Sequence, residues 1–183
     1  MKESQQIVIN IIGLPGSGKT TVAKILSERL GFDRIEKDLI RRFLHKNIAY
    51  FERPIEDSPE LFDVRNKIIF DWTKSLITHL FKDGRNLILE GGVHKETRAQ
   101  SNSSLRGLNP EAIILSVWLD YPDQVLIGRL EKRDLEENHN LKSDRFHVIK
   151  SRFEAPENEG VHRLTDSSLS PEEIAEEIIQ LID

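Results

Sequence analysis

Eight consecutive residues, Gly13, Leu14, Pro15, Gly16, Ser17, Gly18, Lys19 and Thr20, carry the strongest chemical signal in the chain. They complete the pattern G-x-x-x-x-G-K-[ST], whose glycines let the backbone turn sharply enough for successive N–H groups to point at phosphate oxygens. A helix starting directly after such a loop adds the positive end of its dipole. Lys19 then reaches the outer phosphates of a nucleoside triphosphate, and the Thr20 hydroxyl ligates Mg²⁺. The bland alternative is a flexible glycine turn that happens to precede a lysine. A chain of this length meets the pattern by chance on the order of once in a hundred, and less often when a strand must precede and a helix follow. Nucleotide contacts are therefore expected from Gly13, Pro15, Gly16, Ser17, Gly18, Lys19, Thr20 and Thr21.

Other chemistries drop out. A guanine-reading Asn-Lys-x-Asp run is missing, since Asn66, Lys67, Ile68, Ile69 does not complete one, and no further signature segment of a transport or ring-forming ATPase is present. The six histidines (His45, His79, His94, His139, His147, His162) show no HExxH or comparable metal spacing. With 26 basic against 31 acidic residues the formal charge is −5, so the chain offers no field for coating nucleic acid, although a local basic pocket is compatible with it. The absence of cysteine removes disulfides, thiolate metal sites and cysteine nucleophiles. No apolar run approaches the ~18 residues of a membrane span, and Met1 to Asn10 is too polar for a signal peptide. A cytoplasmic chain without a membrane partner is expected.

The elements needed to position the loop are legible around it. Gln6 to Ile12 is a β-branched run that reads as a buried strand, and Val22, Ile25, Leu26 and Leu30 share one helical face ending at Gly31. Phe32 to Glu36 predicts a short second strand, and Asp38 to Leu44 a helix. Ser58 and Pro59 suit the start of a long helix whose apolar face is expected at Leu61, Val64, Ile68, Trp72, Leu76 and Leu80, ending near Gly84. Asn86 to Glu90 and Glu111 to Leu119 are continuous apolar strands of the doubly covered, parallel kind. A basic helix follows around Val125, Leu126 and Leu130, then a polar stretch, Asp134 to Lys142, expected as a mobile flap. Val161 to Leu164 is a last strand, and Ser170, Pro171 and Glu173 open a final helix with a capping box. Trp72 and Trp118 are both expected in the core. Strands alternating with helices imply an α/β fold: three layers, about five parallel strands with helices on both faces, one domain over residues 1–183 with a short lid near residues 123–145.

These residues together resemble a family. The Gly13 to Thr20 loop, the run Lys37, Asp38, Leu39, Ile40, Arg41, Arg42, the pair Arg129 and Arg133 after Leu119, Asp120, Tyr121, Pro122, and Phe153, Glu154, Ala155, Pro156 with Glu159 and Gly160 look like the small, AAA-type P-loop kinases. Within these the chain is similar to kinases grouped with the kinase domain of polynucleotide 5′-kinases and, more distantly, to gluconate- and shikimate-type kinases. The resemblance implies a nucleoside-kinase-like P-loop fold and makes Asp38 the acceptor-side carboxylate, with Arg41 one turn on holding an anionic group of the acceptor. An Asp there is equally an ordinary helix N-cap. Arg129 and Arg133, four apart on one helix face, would cover the triphosphate as charge builds up; a solvated basic face is the plain reading. Arg152 is a further candidate. Relatives often place an Asp where Glu90 stands, so Glu90 either holds Mg²⁺ or faces the acceptor.

The expected activity is transfer of the γ-phosphoryl group of ATP, with Mg²⁺, to a hydroxyl of a small-molecule acceptor, with Lys19, Asp38, Arg129 and Arg133 catalytic. A polynucleotide 5′-hydroxyl is the alternative acceptor, with Lys37, Arg41, Arg42 and Lys46 flanking the strand. A non-catalytic ATP-binding switch is the alternative of a different class. Oligomeric state is not readable from the chain.

Overall fold

The computed structural model describes residues 5–52, 59–137 and 146–182. Five parallel strands, β1 (Ile7–Gly13), β2 (Asp33–Glu36), β3 (Leu87–Glu90), β4 (Ile113–Leu119) and β5 (His162–Leu164), form one sheet in the order β2-β3-β1-β4-β5. Helices α1 (Lys19–Leu30), α2 (Lys37–Asn47), α3 (Ala49–Glu52), α4 (Pro59–Lys82), α5 (Lys95–Leu108), α6 (Asp123–Glu137), α7 (Phe146–Arg152) and α8 (Pro171–Gln180) fill the connections. Strand β1 is central, which is why it is β-branched along nearly its whole length: both its faces are covered. Its one polar core residue, Asn10, donates to Asn102 Oδ1 at 3.1 Å and Ser116 Oγ at 3.2 Å.

Strand alternation divides the core in two. Ile9, Ile11 and Ile88 face α1 and α8, packing with Val22, Leu26, Ile174 and Ile178. Val8, Ile35, Leu87 and Leu89 face the other way, against Phe81 of α4 and Leu105 of α5. Register carries the first division to the strand ends: Ile11, Glu90 and Glu36 stand side by side, as do Ile9, Ile88 and Arg34. The polar ends of β2 and β3 therefore lie on the same face as α1, whose first turn follows the glycine loop. A third cluster, Leu44, Phe51 and Ile69, joins α2, α3 and α4 beyond the sheet.

Most boundaries agree with expectation, including the left-handed Gly31 that stops α1 and the reciprocal Ser170–Glu173 capping box that starts α8. Four expectations need correcting. Helix α4 exists as read, and Ile68 and Leu80 of the expected face pack on the core, but the rest of that face is turned: Arg65 and Ile69 are 2% and 1% exposed, while Val64, Trp72 and Leu76 are 48%, 54% and 42% exposed, and the Leu61 side chain lies outside the described residues. The cause is α3, against which Arg65 lies with its guanidinium 5.6 Å from the Tyr50 ring and 5.8 Å from the Phe51 ring, donating to the Tyr50 carbonyl. Trp72 is thus not a core residue, whereas Trp118 is buried beneath the Arg163 guanidinium at 4.8 Å. Of the expected flap, residues 134–137 continue α6 with Asp134 buried; residues 138–142 lie outside the described residues. Helices α5 and α7 were not legible, because the side chains α5 buries are Arg98 and Leu105 and no apolar stripe marks it.

Candidate functional site

Strand β1 runs into the glycine loop and the loop into α1. Gly16 adopts φ +83°, and a Cβ there would stand 2.5 Å from the Leu126 carbonyl oxygen, so the loop lies directly on α6 and only glycine fits. The Ser17 amide closes the turn on the Leu14 carbonyl at 3.2 Å, with Ser17 buried. Gly18 caps α1 without any side-chain hydrogen bond, which leaves the first amides of the helix open to an anion.

Lys19 turns back over the loop. Its ammonium donates to the Leu14 carbonyl at 2.8 Å and the Ser17 hydroxyl at 3.3 Å. Burial pulls its pKa down to about 8; the Glu90 and Asp38 carboxylates oppose that shift and the Arg133 guanidinium adds to it. These three side chains, far apart in sequence, therefore act on one ammonium. Thr20 is brought onto Glu90: its hydroxyl donates to Glu90 Oε2 at 2.7 Å. Two hard oxygen donors in contact beside a phosphate loop suit a small hard cation such as Mg²⁺. Among the described residues no three His, Cys, Asp or Glu side chains form a metal-holding group, so the remaining ligands would be phosphate and water oxygens, as is usual for Mg²⁺.

The residues expected on the acceptor side sit at the root of α2. Asp38 is the second residue of the helix and Glu36 occupies the cap position, so Asp38 is not the N-cap. Its carboxylate is 65% exposed and accepts from Arg41 Nη1 at 2.5 Å. Lys37 is held below the ordinary lysine value by burial and by Arg41, against the pull of Asp38, and lies 5.7 Å above the Phe70 ring. Arg42 donates to Glu36 Oε1 at 2.9 Å. Of the Lys37, Arg41, Arg42 and Lys46 cluster, both arginines are thus neutralised by carboxylates.

The two α6 arginines diverge. Arg133 is the one whose charge bears on Lys19. Arg129 donates to the Ser167 carbonyl at 2.8 Å and lies 5.2 Å over the Tyr121 ring, on the side of the β5–α8 connection. Arg152 is exposed at the end of α7, and His45 and His94 stand outside any metal group among the described residues.

One central residue was missed. Arg98 of α5, 6% exposed, donates from Nε and Nη2 to the two Glu159 carboxylate oxygens at 2.8 and 2.5 Å, and also to the Gly92 and Glu154 carbonyls. Gly92 is glycine for this reason: φ is +87° and a Cβ would meet the Arg98 side chain at 3.0 Å. The clamp ties the loop after Glu90 to residues 154–159. Its only sequence trace was Glu159 itself, since nothing in a polar helix marks which arginine points inward.

A family model described as an AAA domain matches residues 9–162. The protein named "Putative adenylate kinase" of Thermococcus onnurineus is 33% identical over 178 residues, covering 96% of this chain and 84% of that one. A shikimate kinase of Clostridium beijerinckii is 29% identical over 140 residues, 76% of this chain and 72% of that one. In three dimensions the chain is similar to the APS kinase of Mycobacterium tuberculosis, with a TM-score of 0.65 at 21% identity, over 97% of this chain and 98% of that one.

Proposed function

The chain belongs to the AAA domain family, among the P-loop kinases, and on that premise we propose that it transfers the γ-phosphoryl group of ATP to a hydroxyl of a small-molecule acceptor bound beside Asp38. The observation that carries this reading is the convergence on Lys19 of two carboxylates with separate partners: Glu90 with Thr20, and Asp38 with Arg41.

In this reading the open amides of the loop and Lys19 hold the β- and γ-phosphates, where fixed donors oriented before reaction lower the barrier without reorganisation. Thr20 and Glu90 would hold Mg²⁺, which neutralises phosphate charge when bound. Asp38, exposed and first in reach of an incoming acceptor, accepts the hydroxyl proton as the acceptor oxygen bonds to the γ-phosphorus and the bond to the bridging oxygen breaks, releasing ADP. Arg41 neutralises Asp38 when the site is empty and turns to an anionic group of the acceptor when one binds. Arg133 stabilises charge that accumulates on the phosphoryl oxygens; Arg129, held on the Ser167 carbonyl and over the Tyr121 ring, would have to leave both partners to join it.

A second reading has its own support. Lys37, Arg41 and Arg42 place three cations at the root of α2, and a relative matched over 96% of this chain carries the name "Putative adenylate kinase", so a phosphate acceptor such as a nucleoside monophosphate is the rival. The test is transfer from γ-labelled ATP with Mg²⁺ to three acceptor panels: sugar acids and other small alcohols, nucleoside monophosphates, and a 5′-hydroxyl oligonucleotide. Phosphorus NMR separates a monoester product from a diphosphate. A monoester on a small alcohol is expected, with Asp38→Asn lowering kcat by about 10²-fold or more while ATP affinity stays unchanged. A diphosphate product, or equal loss of ATP affinity and turnover in Asp38→Asn, would reject the hydroxyl reading.

A further inference from the structure

Glu90 stands where one more methylene than aspartate gives the carboxylate room to swing, and a longer side chain costs more entropy to hold in one place. It is held nonetheless. Arg34 Nη1 donates to Glu90 Oε1 at 2.9 Å, leaving Oε2 for the Thr20 hydroxyl at 2.7 Å. The same nitrogen reaches Glu36 Oε2 at 3.3 Å, and the other Glu36 oxygen takes Arg42 of α2 at 2.9 Å. Glu90 and Glu36 are register partners on adjacent strands, with side chains only 6% and 11% exposed, and Arg34 is 24% exposed between them.

From this chain of contacts we propose that Arg34 is a positioning residue for the metal-holding carboxylate: it aims Glu90 Oε2 at Thr20 and ties Glu90, through Glu36, to the root of the helix that carries Asp38. Two largely buried carboxylates side by side repel, and without a cation between them they turn apart. A guanidinium suits the task because Nη1, with its two N–H donors, serves both carboxylates from one end of a planar group of fixed orientation, whereas an ammonium is a compact point charge that rotates freely. Arg34 touches neither the nucleotide loop nor any reacting atom, so its effect is confined to the geometry of Glu90 and of the α2 root. The inference rests on the assignment of Glu90 and Thr20 to Mg²⁺ made above.

The test is calorimetric affinity of the full chain for the β,γ-imido analogue of ATP, measured in EDTA and again with Mg²⁺. Wild type, Arg34→Met, Arg34→Lys and Glu90→Gln are compared, each after circular dichroism and thermal melting establish that it is folded. In EDTA, wild type and Arg34→Met are expected to agree within about twofold. The Mg²⁺-dependent gain in affinity is expected to fall about tenfold in Arg34→Met and by an intermediate factor in Arg34→Lys, the variant that retains a cation should methionine fail to fold. A full Mg²⁺ gain in the folded arginine variants, or an equal loss with and without Mg²⁺, would overturn the proposal. Should Glu90→Gln lose the gain while Arg34→Met keeps it, Glu90 stays a metal residue and only the role of Arg34 falls. Should Glu90→Gln itself keep the gain, the metal assignment falls, and the positioning role with it.

Discussion

Lys19 shows how a single residue is tuned by its surroundings. Its ammonium is drawn out of water and onto a carbonyl and a hydroxyl, and burial brings its pKa to about 8 even with two carboxylates opposing the shift. The sign of the consequence for binding follows directly. A bound triphosphate favours the charged lysine, so above pH 8, where the free protein has begun to lose this proton, binding must take one up. ATP affinity is expected to be level below pH 7 and to decline as pH rises past 8. Calorimetry at pH 8.5 in buffers of different ionisation enthalpy should report proton uptake near half a proton or more, and none at pH 6.5; no uptake at the higher pH would remove Lys19 from the phosphate contacts. Asp38, by contrast, stays at the surface. Its carboxylate is 65% exposed and pairs with Arg41, and the cap of α2 is Glu36.

At the scale of elements, the connection after β3 depends on α5. Arg98 spends four of its five guanidinium donors on Glu159, Gly92 and Glu154, all three nitrogens engaged in a buried setting. Removing it strands a carboxylate and two carbonyls, and breaking such a pair from one side is costly. Arg98→Ala is expected to lower the urea-unfolding free energy by about 3 kcal/mol at pH 7. The Arg98 hydrogen bond holds the Glu159 carboxyl below the usual glutamate range, so this stabilisation is present above that range and lost as pH falls through it. The difference between variant and wild type should accordingly shrink at about pH 3. A variant within 0.5 kcal/mol of wild type at neutral pH, roughly the scatter of a surface substitution, would show that the clamp does not hold the loop. Helix α4 teaches a related lesson: a stripe at perfect helical spacing, Val64, Trp72 and Leu76, faces outward because Arg65 packs on α3.

For the whole molecule, the site is assembled where the strand order turns. Chain direction passes from central β1 to edge β2, back to β3 and then across to β4, and ligands of open α/β sheets bind outside the carboxyl ends of strands at such a switch. The net charge of −5 is compatible with this because the cations are gathered locally: Lys19, Arg34, Lys37, Arg41 and Arg42 all lie about the ends of β1, β2 and β3. No helix among the described residues is long and apolar enough to cross a membrane. Ligand binding at so central a position should stabilise the entire fold. Mg²⁺ and ATP at about a hundred times Kd are expected to add about 2.7 kcal/mol to the unfolding free energy, read as a higher Tm, and Lys19→Ala should show no such rise. A full rise in Lys19→Ala would mean that the nucleotide binds elsewhere.

Sequence alone determined what depends on local spacing. The phosphate loop, the parallel α/β class and the capping box of α8 follow from backbone requirements within a few residues: glycines at forced turns, β-branched runs for doubly covered strands, and a serine three residues before a glutamate. Only tertiary structure decided which distant side chains share a charge environment. That Glu90 meets Thr20 across 70 positions, that Arg133 rather than Arg129 bears on Lys19, and that α4 turns Trp72 to solvent all depend on register between strands and on packing between helices. Those relations are fixed by the sheet order and by one buried arginine of α4, Arg65, packed against α3, and neither leaves a periodic mark on the chain.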